Sequence, residues 1–291
     1  MDPTVIGIIL AFVALLTWGF GDFFIQRAAR QVGDWKTLFF NGVVGFAVLT
    51  PFVWSSLPSL TKQNLVLLVV VSIVTLVAAL IDFEALKQGK IAIVEPILGA
   101  ELPLTVGISV IFLNEILSGA QVLLIGVIFV GILLAITQHH SHLHYHKRIL
   151  EKGVLLAGIG MVGMALMNVL VGVTSREVSP LMTMWFIDVV LAAACGIYLV
   201  AKKELLKFPH DLVRHPHSLI GQSIFDNVAW VAFAGATTLI PIGIATAISE
   251  SYIALAVLLG LTLNREHIKT HQKVGLVLAI GGVIVLSVIT A

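Results

Sequence analysis

The sequence predicts an all-α integral membrane protein of ten transmembrane helices, arranged as two five-helix halves of inverted topology. Three observations carry this expectation. Of 291 residues, 58% are hydrophobic and only 11% charged, against roughly 45–50% and 25% in soluble domains. The apolar residues fall into stretches of about 20, the length that crosses a bilayer core as a helix. The two halves also match weakly in register. The charge deficit excludes a water-soluble enzyme, a disordered chain and a nucleic-acid binder. Seventeen Lys+Arg against sixteen Asp+Glu say nothing about partners. The single Cys195 lies in an apolar run, so no intramolecular disulfide is possible.

The expected spans are 4–26, 36–56, 64–86, 91–113, 119–138, 152–174, 178–200, 218–239, 241–263 and 271–290. Segments 37–61 and 153–175 contain no Asp, Glu, Lys or Arg. The first span lacks a basic n-region and reads as a retained helix. Longer loops fall at about 139–151 and 201–217. Pro180 and Pro241 suit helix starts, where a missing N–H costs nothing. Pro96 and Pro103 fall inside the fourth span and are expected to bend it or free its carbonyls.

A shift of 146 residues superposes Arg30 on Arg176, Val32 on Val178, Thr37 on Thr183 and Phe40 on Phe186. A shift of 151 superposes Glu115 on Glu266, Gln121 on Gln272 and Gly131 on Gly282. The matches keep helix order. Five helices per half is an odd number, so the second half enters from the opposite side, as in many secondary transporters with midplane sites. The organisation is a first repeat at 4–138, a His-rich linker at 139–151 and a second repeat at 152–290.

Each half carries Glu and, six residues on, Gln between its fourth and fifth helices: Glu115/Gln121 and Glu266/Gln272. A glycine-containing last helix follows each pair, and the first helix contains Trp18-Gly19. On these residues, and on length and repeat together, the chain resembles the drug/metabolite transporter superfamily, in particular its ten-helix EamA-like members. The resemblance implies a secondary transporter of small metabolites with a central cavity lined by both halves. It also implies a multi-pass protein, expected in the prokaryotic cell (inner) membrane. No cofactor and no enzymatic activity are expected. The Glu/Gln turns themselves have a structural explanation: Ser118 and Thr270 can N-cap the next helix, and a glutamate suits a helix N-terminus.

Fifteen of the Lys and Arg residues fall on odd-numbered loops; Lys62 and Arg176 fall on even ones. The odd loops are therefore expected on the cytoplasmic side, with both termini outside.

Acids within the spans are the main functional signal. Asp22, Asp82, Glu84, Glu95, Glu101, Asp188, Asp226 and Glu250 lie there, with no Lys or Arg near a span centre. Glu101, Asp188, Asp226 and Glu250 are nearest mid-helix. Each costs about 3 kcal/mol if ionised at the bilayer centre, roughly 10 kcal/mol together. Such acids face a wet cavity, pair, or keep a proton. With no internal base, the counter-charge is expected to be a proton or a cationic substrate. Asp82, Glu84 and Glu95, close to Lys87 and Lys90, fit a structural role at the membrane interface.

Aromatic residues flank several acids. Trp18 and Asp22, and Asp226 and Trp230, are spaced i, i+4; Trp185 and Asp188 are i, i+3; Tyr252 follows Glu250. Those spacings put ring and carboxylate on one helical face, a combination that holds organic cations. Packing or interface roles for Trp18 and Trp185 remain open at this point. Asn41, Asn168 and Asn227 fit either cavity hydrogen bonding or helix–helix adhesion.

All ten histidines sit on odd loops, and His139, His140, His142, His144 and His146 crowd the linker. A mobile His tract can collect metal, which makes a divalent metal transporter the alternative function. A polar linker is the plainer reading. Gly19-Phe20-Gly21-Asp22 matches the Gly-x-Gly-Asp string of intramembrane aspartyl proteases. The companion Tyr-Asp string is absent, so a second aspartate is not supplied in the expected context. No phosphate-binding Gly-rich loop is present. The expected partners are the lipid bilayer, a small-molecule substrate and protons, with no nucleic acid.

Overall fold

The computed structural model describes residues 1–88, 97–136, 152–255 and 269–291. For residues 22, 26, 86–88, 152 and 154 it describes the backbone alone. Among the described residues every regular element is helical. The long elements are α1 (Pro3–Val32), α2 (Asp34–Val53), α3 (Lys62–Gln88), α4 (Glu101–Phe112), α5 (Gly119–Ile136), α6 (Lys152–Glu177), α7 (Pro180–Ala201), α8 (Pro216–Thr237), α9 (Ile242–Ser249) and α10 (Thr270–Thr290).

Local chemistry sets several boundaries. Asp2 accepts from the Thr4 N–H at 2.8 Å, and Pro3 opens α1. Ser179 caps α7 through the Met182 N–H at 3.1 Å, with Pro180 as first residue. Ser118 and Gln121 form a reciprocal capping box at the start of α5. Gly33, at φ 89°, makes the turn between α1 and α2, a conformation open to glycine without a steric penalty.

Seven helices are long and apolar enough to cross a bilayer, among the described residues: those beginning at Pro3, Asp34, Lys62, Gly119, Leu155, Pro180 and Thr270. Glu101–Phe112 and Ile242–Leu255 are shorter apolar helices. The expected span at 218–239 is a 22-residue helix, α8, that carries Gln222, Ser223, Asp226 and Asn227.

Two expectations about elements need correction. The fourth and ninth spans are not continuous. Residues 99–100 form a turn before α4, and α9 stops at Ser249, with a turn at Glu250–Ser251 before helix resumes at 252–255. Glu101 and Glu250 therefore stand at helix interruptions and not at mid-helix. Pro103 falls in the first turn of α4 and has no N–H to give the carbonyl of Gly99, in the turn that interrupts the span; Pro96 lies outside the described residues. Thr270 is the first residue of α10, whose cap is Lys269. The longer loop at 201–217 holds the short helix Phe208–Arg214.

The helices pair across the two halves: α1 with α8, α3 with α6, α2 with α7, α4 with α9, and α5 with α10. Exchanging the halves converts the first pair into the second and maps each of the others onto itself. The α5–α10 seam is close and antiparallel. A Cβ on Gly131 would lie 2.5 Å from the Ala279 N, and one on Gly275 would lie 2.5 Å from the Ala135 N. Such backbone approach needs small residues, the usual device where lipid supplies no hydrophobic drive. The core runs along the seam through Leu102, Ile128, Ile132, Phe233, Ile244, Ile248 and Leu286, all nearly inaccessible. Phe52, Val66, Ile111, Leu123, Ile197 and Val277 are exposed, as expected of a lipid-facing surface.

Candidate functional site

The polar centre forms where α1, α2, α7 and α8 meet. The Asp226 carboxylate on α8 accepts from the Asn41 amide at 2.7 Å and from the Trp18 indole N–H at 3.4 Å. Trp230, one turn further along α8, adds its indole to the same carboxylate. The Asn227 amide donates to Asn41 Oδ1 at 2.9 Å and to the Ser223 carbonyl at 2.9 Å. One amide pair thus joins α2 of the first half to α8 of the second. Asp188 on α7 is buried and lies near enough to Asp226 to interact with it electrostatically. Its carboxylate and the Asn227 amide press on Gly45, where a Cβ would collide with both.

The aromatic wall is equally specific. Trp18 meets Trp230 edge-to-face at 4.9 Å and lies 5.8 Å from Phe233 and 6.1 Å from Tyr252. Trp230 and Phe233 are perpendicular at 5.7 Å. These rings bring α1, α8 and the segment after α9 together around one carboxylate. Rings of this kind offer negative faces to a cation, and a carboxylate supplies the counter-charge.

A second carboxyl group pair lies on α4 and α9. Glu101 and Glu250 are both buried and hydrogen-bonded to each other. A carboxylate only accepts, so a bond between two carboxyl groups holds a proton.

The expected site residues thus divide. Trp18, Asp226, Trp230, Tyr252 and Asp188 converge. Glu101 and Glu250 meet as a separate pair. Trp185 does not join the centre: its indole N–H donates to Thr50 at 2.8 Å and its ring faces Phe46. The helix turn that puts it on the Asp188 face also lets it reach α2, where Thr50 offers an acceptor. The Asp22 side chain and His139, His140, His142, His144 and His146 lie outside the described residues, as do Glu95 and Glu266. Among the described residues no group of three or more His, Cys, Asp or Glu could hold a metal ion.

Phe233 is a residue that the sequence reading did not single out. It lies seven residues after Asp226 on the same face of α8, so the stripe Asp226–Trp230–Phe233 was available as a signal. Glu115 was expected at the start of its own next helix. Its two oxygens instead accept from the Ile242 and Gly243 N–H groups, at 2.8 and 3.2 Å, at the N-terminus of α9. Arg176 pairs with Glu115 at 2.7 Å and also donates to the Thr237 and Ile240 carbonyls. A helix N-terminus is still what the glutamate serves, but it belongs to the other half of the chain.

On the opposite face Lys36 bridges Asp211 at 2.7 Å and Glu204 at 3.0 Å, and Lys207 pairs with Glu204. The Lys207 and Lys36 hydrogen bonds hold the Glu204 carboxyl below its ordinary value.

The family model described as the EamA-like transporter family matches residues 5–137 and, a second time, residues 151–288. No curated protein matches in sequence. A solved structure described only as "Crystal structure of protein" is similar to this chain with a TM-score of 0.78 at 15% identity, covering 98% of this chain and 97% of that one. At that identity the likeness speaks for the fold alone.

Proposed function

Because the chain belongs to the EamA-like transporter family, a family of multi-pass membrane transporters of small molecules, we propose that it is a secondary active transporter of a small cationic or zwitterionic metabolite. It works by alternating access with proton coupling or exchange, in the cell (inner) membrane of a prokaryote. The repeats are 4–138 and 152–290, joined by the linker 139–151, and they are inverted. The antiparallel α5–α10 seam and the helix pairings that survive exchange of the halves support that topology. Moving one half against the other then opens the shared centre to one side at a time.

The observation that carries the substrate class is the Asp226 carboxylate, held by Asn41 and two indoles and walled by Trp18, Trp230, Phe233 and Tyr252. Asp188 adds negative charge behind it. Among the described residues the nearest helices bring no Lys or Arg to this level, so the centre suits a cation. A zwitterion would present its cationic end here. A proton resident on the central acids leaves when the cation arrives, which links the two ligands and permits exchange.

The test is uptake into reconstituted vesicles, with organic cations and amino acids as probes, for Asp226→Asn, Glu101→Gln and Glu250→Gln. Asp226→Asn is expected to abolish transport, and the two Gln variants to alter its pH dependence. Wild-type transport and pH dependence in all three would refute the reading. Tight binding of a purely anionic substrate would also refute it.

A further inference from the structure

We propose that the cation is recognised through its N–H groups, by the Asp188 carboxylate and the Asn227 side-chain oxygen beside Gly45, so that the substrate class is a protonated amine and not a quaternary ammonium. The inference rests on the cation reading of the Asp226 centre and adds to it a second recognition point and a rule of selectivity.

The two aspartates differ in what already surrounds them. Asp226 Oδ1 takes the Trp18 indole N–H at 3.4 Å, Oδ2 takes the Asn41 amide at 2.7 Å, and Trp230 adds a third donor. A carboxylate has about four acceptor positions, so the protein itself fills most of those on Asp226. Its charge reaches a ligand; few of its lone pairs do. Asp188 is 5% exposed, and among the described residues no donor reaches its carboxylate. A buried carboxylate without a donor is costly. This one is therefore set out for a partner that the described chain does not supply.

The asparagines fix the second oxygen. Asp226 only accepts as a carboxylate, so Asn41 turns its NH2 toward it. That leaves Asn41 Oδ1 facing Asn227, whose NH2 donates to it at 2.9 Å and to the Ser223 carbonyl at 2.9 Å. With its NH2 committed, Asn227 has its Oδ1 left to face α7. There it meets Asp188: Asn227 Oδ1 and Asp188 Oδ2 both overlap the place that a Cβ on Gly45 would occupy. Two oxygens that crowd one point are near enough for a single nitrogen to reach both. Both are acceptors, and two acceptors so placed need a donor between them. Gly45 permits the approach, since any side chain there would fill the gap.

The adjoining helices bring no cation to this point. α7 and α8 carry no Lys or Arg, and Lys36 of α2 is engaged with Asp211 and Glu204. An ammonium N–H is a charge-assisted donor and meets the need of both oxygens. The aromatic wall by itself would also take a quaternary ammonium, which binds through ring faces and has no N–H. The acceptor pair separates the two classes. A protonated amine satisfies it, whereas a quaternary ammonium leaves both oxygens buried and unpaired, the arrangement that discriminates most strongly against an analogue lacking the donor.

The experiment is calorimetric titration of the purified full-length chain with propylamine and its N-methyl, N,N-dimethyl and N,N,N-trimethyl derivatives. At neutral pH each of these probes carries one positive charge. Each added methyl brings apolar area, which alone would tighten binding. The opposite order is expected, with the quaternary probe weaker than the primary one by roughly ten-fold or more. In Asp188→Asn the two ends of the series are expected to fall within about two-fold of each other, because the substituted amide supplies its own donor to Asn227. Trp18→Phe removes a donor to Asp226 and leaves the acceptor pair intact, so it should weaken all the probes alike and keep their ratio. Equal or tighter binding of the quaternary probe by the wild type, a measurement that needs no variant to fold, overturns the inference and leaves the cation reading standing. Undiminished selectivity in Asp188→Asn overturns it too, since Asp188 would then only tie helices together. Binding of none of the probes would overturn the inference and the cation reading together.

Discussion

Asp226 draws its partners from both halves of the chain. Its carboxylate takes donors from Asn41 and Trp18 of the first half and from Trp230 of its own helix. Trp18 therefore has two roles, since its ring builds the aromatic wall and its N–H orients the carboxylate. Trp18→Phe separates them by keeping a ring and losing the donor. The Trp18 bond is long at 3.4 Å, so the expected loss is about 1 kcal/mol, roughly five-fold in affinity. A Kd for the transported cation, measured on both proteins, checks it; an unchanged Kd would mean that the indole N–H is idle in binding. The contrast with Trp185 is instructive. Both tryptophans were spaced from an aspartate by one turn, yet Trp185 gives its N–H to Thr50. Helical spacing puts two side chains on one face; it does not choose between neighbours on that face.

At the scale of elements, the α9 N-terminus is held by a residue of the other half. Glu115 takes the Ile242 and Gly243 N–H groups and the Arg176 guanidinium, while Arg176 also closes onto Thr237 and Ile240 at the end of α8. An eight-residue helix with a break behind it depends on such a cap, because its first N–H groups have no partner of their own. Glu115→Ala is expected to destabilise the chain by about 1–2 kcal/mol, visible as a Tm lowered by several degrees. Glu177→Ala, at an exposed position on the same end of α6, should stay within about 0.5 kcal/mol. Equal effects from the two would mean that the cap is dispensable. The same interruption explains why the fourth and ninth spans misled the sequence reading. Hydropathy counts apolar residues and is blind to a single turn inside an apolar run.

Across the whole molecule, the pairing α1–α8, α3–α6, α2–α7, α4–α9 and α5–α10 ties every helix of one half to the other half. No half folds around its own core; the core is the seam. Ionic ties close the seam's ends, Glu115–Arg176 at one face and Lys36 with Asp211 and Glu204 at the other. From the distribution of Lys and Arg, the second of these is expected on the cytoplasmic side. In a variant lacking Cys195, a cysteine at Lys203 should react with an impermeant thiol reagent only after the membrane is opened. One at Ser56, which is exposed between α2 and α3, should react from outside intact cells. The reverse pattern would invert the topology while leaving the helix pairing untouched.

The membrane class, the repeat and most helix boundaries were determined by the sequence alone. Each rests on a signal legible along the chain: apolar length, charge asymmetry, the Ser118 cap and Pro180 at a helix start. The acids were also legible, because a carboxylate in an apolar span is conspicuous. What only the tertiary structure decided is which acids belong together. Asp226 with Trp18 and Asn41, and Glu101 with Glu250, are separated in sequence by 149 residues or more. Their meeting depends on how the helices pair, and that pairing is set by backbone contacts such as Gly131 on Ala279 and Gly42 on Ala192. The orientation of Asn227 was equally beyond the sequence. An asparagine in a span reads the same whichever way its amide turns, and the difference lies in neighbours that only folding supplies.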